Sequence, residues 1–242
     1  PETRGRMSAP AESTSHRHRD VSGGWLRPAV FGAMDGLVSN FALIAGMDGG
    51  TAAGSRVVVL AGLAGLAAGS FSMAAGEYTS VASQRELALA EIEVERREIA
   101  EHEDEEEDEL AHAYEAKGVD PELAERVAEQ VHADPEVALE EHVRTELGID
   151  LNDLPSPLLA AGSSFLSFAV GAILPLLPYL LGARTVLPAM IVSLLALFAC
   201  GAIVSRVTAR SWWYSGLRQL VLGALAAAVT YGIGAAVGTG IS

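Results

Sequence analysis

Hydrophobic positions along this chain gather into five long blocks, two toward the N-terminal end and three toward the C-terminal end, with a polar stretch between them. A hydrocarbon core about 30 Å thick is crossed by about 20 mostly apolar helical residues. Segments of that kind run over 28–47, 57–81, 157–181, 186–207 and 213–237. The second block ends without a turn signal. Residues rich in Glu, Ala and Arg continue over 84–116, so a single helix is expected to leave the hydrocarbon and run on into the polar stretch. Gly118, Asp120-Pro121 and Asp134-Pro135 then break the chain. The pattern predicts three helices there, over 83–117, 121–131 and 135–147, with Gly148 as the last C-cap and Pro155-Ser156-Pro157 as the return. Val127, Val131, Val137, Leu139, Val143 and Leu147 give this insert a thin apolar stripe, one that calls for metal or a second copy to become rigid.

The expected fold class is therefore all-α: a five-span transmembrane helical protein with a three-helix insert between spans 2 and 3. Residues 1–27 read as a tag remnant (Pro1 to Arg6, ahead of a start at Met7) and a disordered tail rich in Ser, His and Arg. Spans 1 and 2 occupy 28–82, the acidic insert 83–153, and spans 3 to 5 the stretch 154–242. Loop charge sets the orientation, because Lys and Arg near membrane ends stay in the cytoplasm. Arg17, Arg19 and Arg27 precede the first span, and Arg206 and Arg210 lie between the fourth and fifth. The insert adds six basic residues, whereas Arg56 and Arg184 stand nearly alone in their loops. The N-terminus and the insert are expected to be cytosolic.

Charge sharpens this picture. The formal net charge is −15, and 25 of the 31 acidic residues fall between Ala82 and Asp153. Nucleic acid is excluded as a partner, since phosphate recognition needs clustered Lys and Arg. Cys200 is the single cysteine, so one subunit can build neither a disulfide framework nor a thiolate cluster, and oxygen-rich cation chemistry is favoured. Gly32 and Gly36, Gly65 and Gly69, and Gly234 and Gly238 recur at the spacing that lets helices approach closely. A homodimer is the expected assembly.

Two acids lie inside the apolar blocks. Asp35 is within the first span and Glu77 near the end of the second. An ionised carboxylate in hydrocarbon costs at least about 2.5 to 3.5 kcal/mol, so both must face something polar, and a cation path is the expected reason. Ser39 lies four residues after Asp35, and Met73 four before Glu77, so each pair shares a helix face. Asn40, Met34, Ser70 and Ser72 add amide, thioether and hydroxyl groups. Carboxylate oxygen beside thioether sulfur suits a borderline transition ion better than calcium or magnesium.

On the long helix, Glu91, Glu95, Glu98, His102, Glu105 or Glu106, and Glu109 recur at steps of three or four and form one anionic face. Like charges at that spacing repel, and no Lys or Arg interrupts 98–115. Bound cations account for such a face. Glu109 to His112 and Glu129 to His132 repeat the Glu-x-x-His spacing of ferritin-like di-iron sites, although those need four long helices. The pattern leaves the roles of His102, His112 and His132 open.

The run Asp35-Gly-Leu-Val-Ser-Asn-Phe-Ala-Leu-Ile-Ala-Gly46 and the run Ser72-Met-Ala-Ala-Gly-Glu-Tyr-Thr-Ser80 resemble the vacuolar iron transporter family. So do Glu146-Leu-Gly148 and Leu174-Pro-Leu-Leu-Pro-Tyr179, and the likeness, that of a bacterial member, covers nearly the whole chain. The resemblance implies a homodimer that exchanges cytosolic ferrous iron for protons along a path at the dimer interface. It implies that Asp35 and Met73 line the path and that Glu95, Glu98, Glu106, Glu109 and Glu146 bind metal. This chain departs from plant members at Gly65, where they carry an acid, and at His142 and Val143, where they carry two methionines. The first departure bears on the proton-coupling residue, with Glu77 as a substitute; the second offers imidazole in place of sulfur, still suited to ferrous iron.

The expected function is divalent transition-metal transport, not an enzymatic reaction: metal/proton antiport out of the cytosol across a bacterial inner (plasma) membrane. Fe2+ is the expected cargo, with Mn2+, Co2+ and Zn2+ as further candidates, and the partners are metal ions, protons, lipid and a second copy. Path residues are Asp35, Ser39, Asn40, Met73 and Glu77; metal residues are Glu95, Glu98, Glu106, Glu109, His142 and Glu146. A membrane-anchored ferritin-like di-iron oxidase and a metal-gated channel are the rival readings.

Overall fold

The computed structural model describes residues 24–50, 54–208 and 210–241. The tag remnant and most of the tail expected over 1–27 therefore lie outside the described residues, as does Ser242. Among the described residues most are helical and none is in a strand. Helices α1 (Leu26–Gly50), α2 (Ser55–Glu101), α6 (Pro157–Ile173, continuing through α7, Leu177–Leu180), α8 (Val186–Thr208) and α9 (Trp212–Ile241) supply five segments long and apolar enough to cross a membrane. Between α2 and α6 lie α3 (Glu103–Ala116), α4 (Pro121–His132), α5 (Pro135–His142) and a π turn, Val143–Leu147.

At 47 residues, α2 is about 70 Å long at 1.5 Å per residue, more than twice the thickness of a hydrocarbon core. Only its apolar half, 57–81, belongs in lipid; the charged half beyond carries the insert. The third crossing is interrupted. A single helix was expected over 157–181, but α6 gives way to a tight turn at Leu174–Leu176 before α7 (Leu177–Leu180). Pro175 and Pro178 explain it, because each lacks a backbone N–H and its ring crowds the preceding turn.

The membrane helices pack backbone to backbone. α1 sits between α6 and α9. A Cβ on Gly36 would meet the carbonyl of Phe168, and one on Gly171 the carbonyl of Ala33. On the opposite side Gly234 lies against the carbonyl of Gly46. Leu37, Phe41, Ala45, Leu197 and Ala227 fill one core and Ile44, Val58, Leu176, Tyr179 and Ala189 another. The outward faces are as apolar as the cores: Leu60 is 68%, Phe71 69% and Leu181 86% exposed. Helices that hide their glycines and present leucines outward suit a lipid solvent.

The insert folds back on the charged half of α2. Ile92 and Ile99 pack with Ala138, Leu139 and Val143, while Leu110, Ala111 and Ala128 hold α3 to α4. Of the expected apolar stripe, Val137 is 48% exposed and takes no part. The long helix expected over 83–117 is two helices, meeting at His102, whose φ of −133° and ψ of 40° are not helical. Asp134 caps α5 by accepting from the Glu136 amide at 3.0 Å. Gly148, at φ +65°, ends the π turn in the left-handed region that glycine tolerates.

Candidate metal centre

Glu95 and Glu106 are eleven residues apart, which on a straight helix puts them on one face but about 16 Å apart along the axis. The break at His102 removes that separation. Glu95 from α2 and Glu106 from α3 converge on the ring of His142, which ends α5, and Glu146 joins them from the π turn one step further on. One donor atom from each of these four residues lies within 4.8 Å of the others. His142 Nδ1 is 2.8 Å from Glu146 Oε1, 3.0 Å from Glu95 Oε1 and 3.6 Å from Glu106 Oε2.

The ring of His142 is fully buried, and Glu95 and Glu106 are each 9% exposed. A single ring nitrogen can serve one acceptor well, and Nδ1 makes its directed hydrogen bond with Glu146. Glu95 Oε1 is left buried with no hydrogen bond. Burial, and then the Glu146 carboxylate, push the Glu95 carboxyl up to about 7; His142 acts in the opposite sense. Glu106 is raised too, again chiefly by burial, with Glu109, Glu146 and Glu98 adding repulsion against His142. Three carboxylates and one imidazole packed this way are costly as bare charges. A divalent cation would neutralise them and satisfy the orphaned oxygen, and the mixed oxygen and nitrogen donor set fits Fe2+, Mn2+, Co2+ or Zn2+.

The other acids and histidines fall outside this group. Glu98 and Glu109 are exposed; their carboxylates act on the centre as nearby charge. Glu98 pairs with His102 at 3.0 Å, and His112 Nδ1 lies 2.6 Å from the Asp108 carbonyl. Neither Glu-x-x-His pair joins the centre as a pair. His132, whose role the pattern leaves open, is buried against His142, Nε2 to Nε2 at 3.3 Å. The spacing pointed toward Glu129, on the same helix, while the contact is made to the next helix.

A second polar site lies within the spans. Asp35, Ser39, Asn40, Ser72 and Met73 line a cavity of about 440 Å³, with Leu43, Gly65, Gly69 and Phe168. Asn40 donates to the Ala172 carbonyl at 2.6 Å, but its Oδ1 is buried with no hydrogen bond. Glu77 is elsewhere: it borders a separate cavity of about 510 Å³ with Arg27, Met34 and Gln219, and Asp35 reaches both. Phe168 lines the first cavity from α6, a place that nothing in its sequence surroundings signals.

The VIT family model matches residues 26–235. Vacuolar iron transporter 1 of Oryza sativa subsp. japonica is 34% identical over 236 residues, covering 95% of this chain and 93% of that protein. The vacuolar iron transporter of Acanthamoeba castellanii is 37% identical over 228 residues, 90% of this chain and 81% of its own length. Vacuolar iron transporter 1 of Arabidopsis thaliana is 30% identical over 214 residues, 87% and 85% of the two chains. These relatives are named as transporters rather than enzymes, and their match spans the membrane helices and the insert alike. The chain belongs to the VIT family.

Proposed function

We propose that this protein is a divalent transition-metal transporter that carries Fe2+, and by the same chemistry Mn2+, out of the cytosol in exchange for protons. The observation that carries the reading is the convergence of Glu95, Glu106, His142 and Glu146. Four donors from four elements meet there, His142 and Glu95 buried and Glu146 at the solvent edge, where only a cation or protons relieve their repulsion. The names of the relatives support iron as cargo.

In this mechanism the insert concentrates metal on the cytosolic side, as the basic residues flanking the spans suggest. The ion then passes to Asp35 and Met73, with Ser39 and the unpartnered Asn40 carbonyl replacing lost water. Co2+ and Zn2+ fit the same donors. Binding expels protons from carboxylates, so a shared site that faces each side in turn links metal export to proton entry. Gly65 borders the cavity and brings no carboxylate to it, and Glu77 borders the other cavity, so Asp35 is the coupling residue of choice.

Asp35, Ser39 and Ser72 are exposed on the flank of the single chain at hydrocarbon depth. Lipid cannot satisfy them. A second copy covering this face would, which supports a homodimer with the path at its seam. The bacterial inner (plasma) membrane is the proposed location. Uptake of Fe2+, Mn2+, Co2+ and Zn2+ into proteoliposomes tests the function. Uptake is expected with an imposed pH gradient and should fall several-fold without it; equal uptake in both would remove the proton from the mechanism.

A further inference from the structure

The His132 side chain lies just behind the metal centre, and its hydrogen bonds fix where its protons are. His132 Nδ1 is 3.0 Å from the Ala128 carbonyl. A carbonyl can only accept, so Nδ1 carries the hydrogen, and the other nitrogen of the neutral ring, Nε2, holds a lone pair. That lone pair faces His142 Nε2 at 3.3 Å, with the two rings at 86° to each other. Two lone pairs would repel, so the proton between the rings sits on His142 Nε2, and the hydrogen that Nδ1 shares with Glu146 at 2.8 Å is the one a bound cation displaces. His132 is 6% exposed and His142 fully buried, which leaves little room for water to compete for either nitrogen.

We propose that His132 is the positioning residue of the metal centre: by accepting the Nε2 proton of His142 it fixes that ring's tautomer and presents Nδ1 to the cation. A chain of contacts results, from the Ala128 carbonyl through His132 and His142 to the site among Glu95, Glu106 and Glu146. It ties α4 to the ligand on α5, and it makes the imidazole a better donor, as hydrogen-bonded outer partners do for ligating histidines. His132 does not itself bind the ion. The proposal rests on the metal-centre reading above.

The test uses the full-length protein in detergent and Co2+ as probe. Absorption-edge spectroscopy of the protein with one equivalent of Co2+ should show one imidazole ligand, and 15N spectra of the ring should place the His132 proton on Nδ1. His132→Leu, close in size but with nothing to accept the proton, should weaken Co2+ binding about 10- to 100-fold. His132→Gln, whose side-chain carbonyl can take the same hydrogen bond, should stay within about threefold of the parent. Two imidazoles on Co2+, undiminished binding by His132→Leu, or a His132→Gln protein as weak as the leucine variant would each overturn the proposal. Failure of the underlying reading looks different: Co2+ binding would then be indifferent to Glu95→Gln as well.

Discussion

Glu95 carries its charge where solvent hardly reaches and where Glu106 and Glu146 add to it. Its carboxyl titrates near 7 in the fold against an ordinary value of 4.5. A folded-state value raised above the unfolded one has a definite sign: the group's contribution to stability is fully present below about pH 4.5 and is lost as pH rises through about 7. Metal-free protein should therefore open more readily around α5 at pH 8 than at pH 5. Hydrogen exchange of the α5 amides, corrected for intrinsic rate, measures this, and Co2+ should restore protection at pH 8 only. Glu95→Gln should flatten the pH dependence and weaken Co2+ binding at least tenfold; an unchanged profile would contradict the account. At this scale the sequence was informative about residue type and less so about partners. The stacked glutamates of the 95–109 stretch announce cations, yet which of them meet depends on a bend, and Glu98 and Glu109 end up outside. His132 was legible only as a histidine three residues after a glutamate, because its partner His142 lies across the Asp134-Pro135 turn.

Among the elements, the break at His102 was the feature that periodicity could not show. Residues 98–115 are mostly good helix formers, so local propensity argues for one rod; packing of α3 on α4 through Leu110, Ala111 and Ala128 wins instead, and with it the convergence of Glu95 and Glu106. The interruption at Leu174–Leu176 was written in Pro175 and Pro178, where a long apolar block masked it. Glycine spacing foretold close helix contact and left the partners unnamed; they are α1 against α6 and α9. Gly36→Ala should force α1 away from the Phe168 backbone and cost about 1 to 3 kcal/mol, as overpacking does. Gly162→Ala, on α6 with open space around the new methyl, should be neutral or stabilising by up to about 1 kcal/mol. Thermal melts in detergent compare them, and equal melting points would contradict the packing described for α1 and α6.

For the molecule as a whole, five apolar helices and an acidic insert were legible from composition and block length, since both follow directly from what lipid and water each tolerate. Assembly was not, because a flank bearing Asp35, Ser39 and Ser72 says that something must cover it without saying what. A cysteine at Ser72, in a Cys200→Ser background, should cross-link two copies in the membrane, whereas one at Leu195, 66% exposed on α8, should not. The central claim is that carboxylates at two depths of this fold pass a metal ion across the bilayer. Side-by-side flux of Fe2+ into liposomes carrying the parent protein and Asp35→Ala tests it most directly, with internal pH recorded at the same time. The account predicts metal uptake coupled to a pH change in the parent and loss of both in the variant, with insert binding of Co2+ intact. Unaltered iron flux through Asp35→Ala would contradict it.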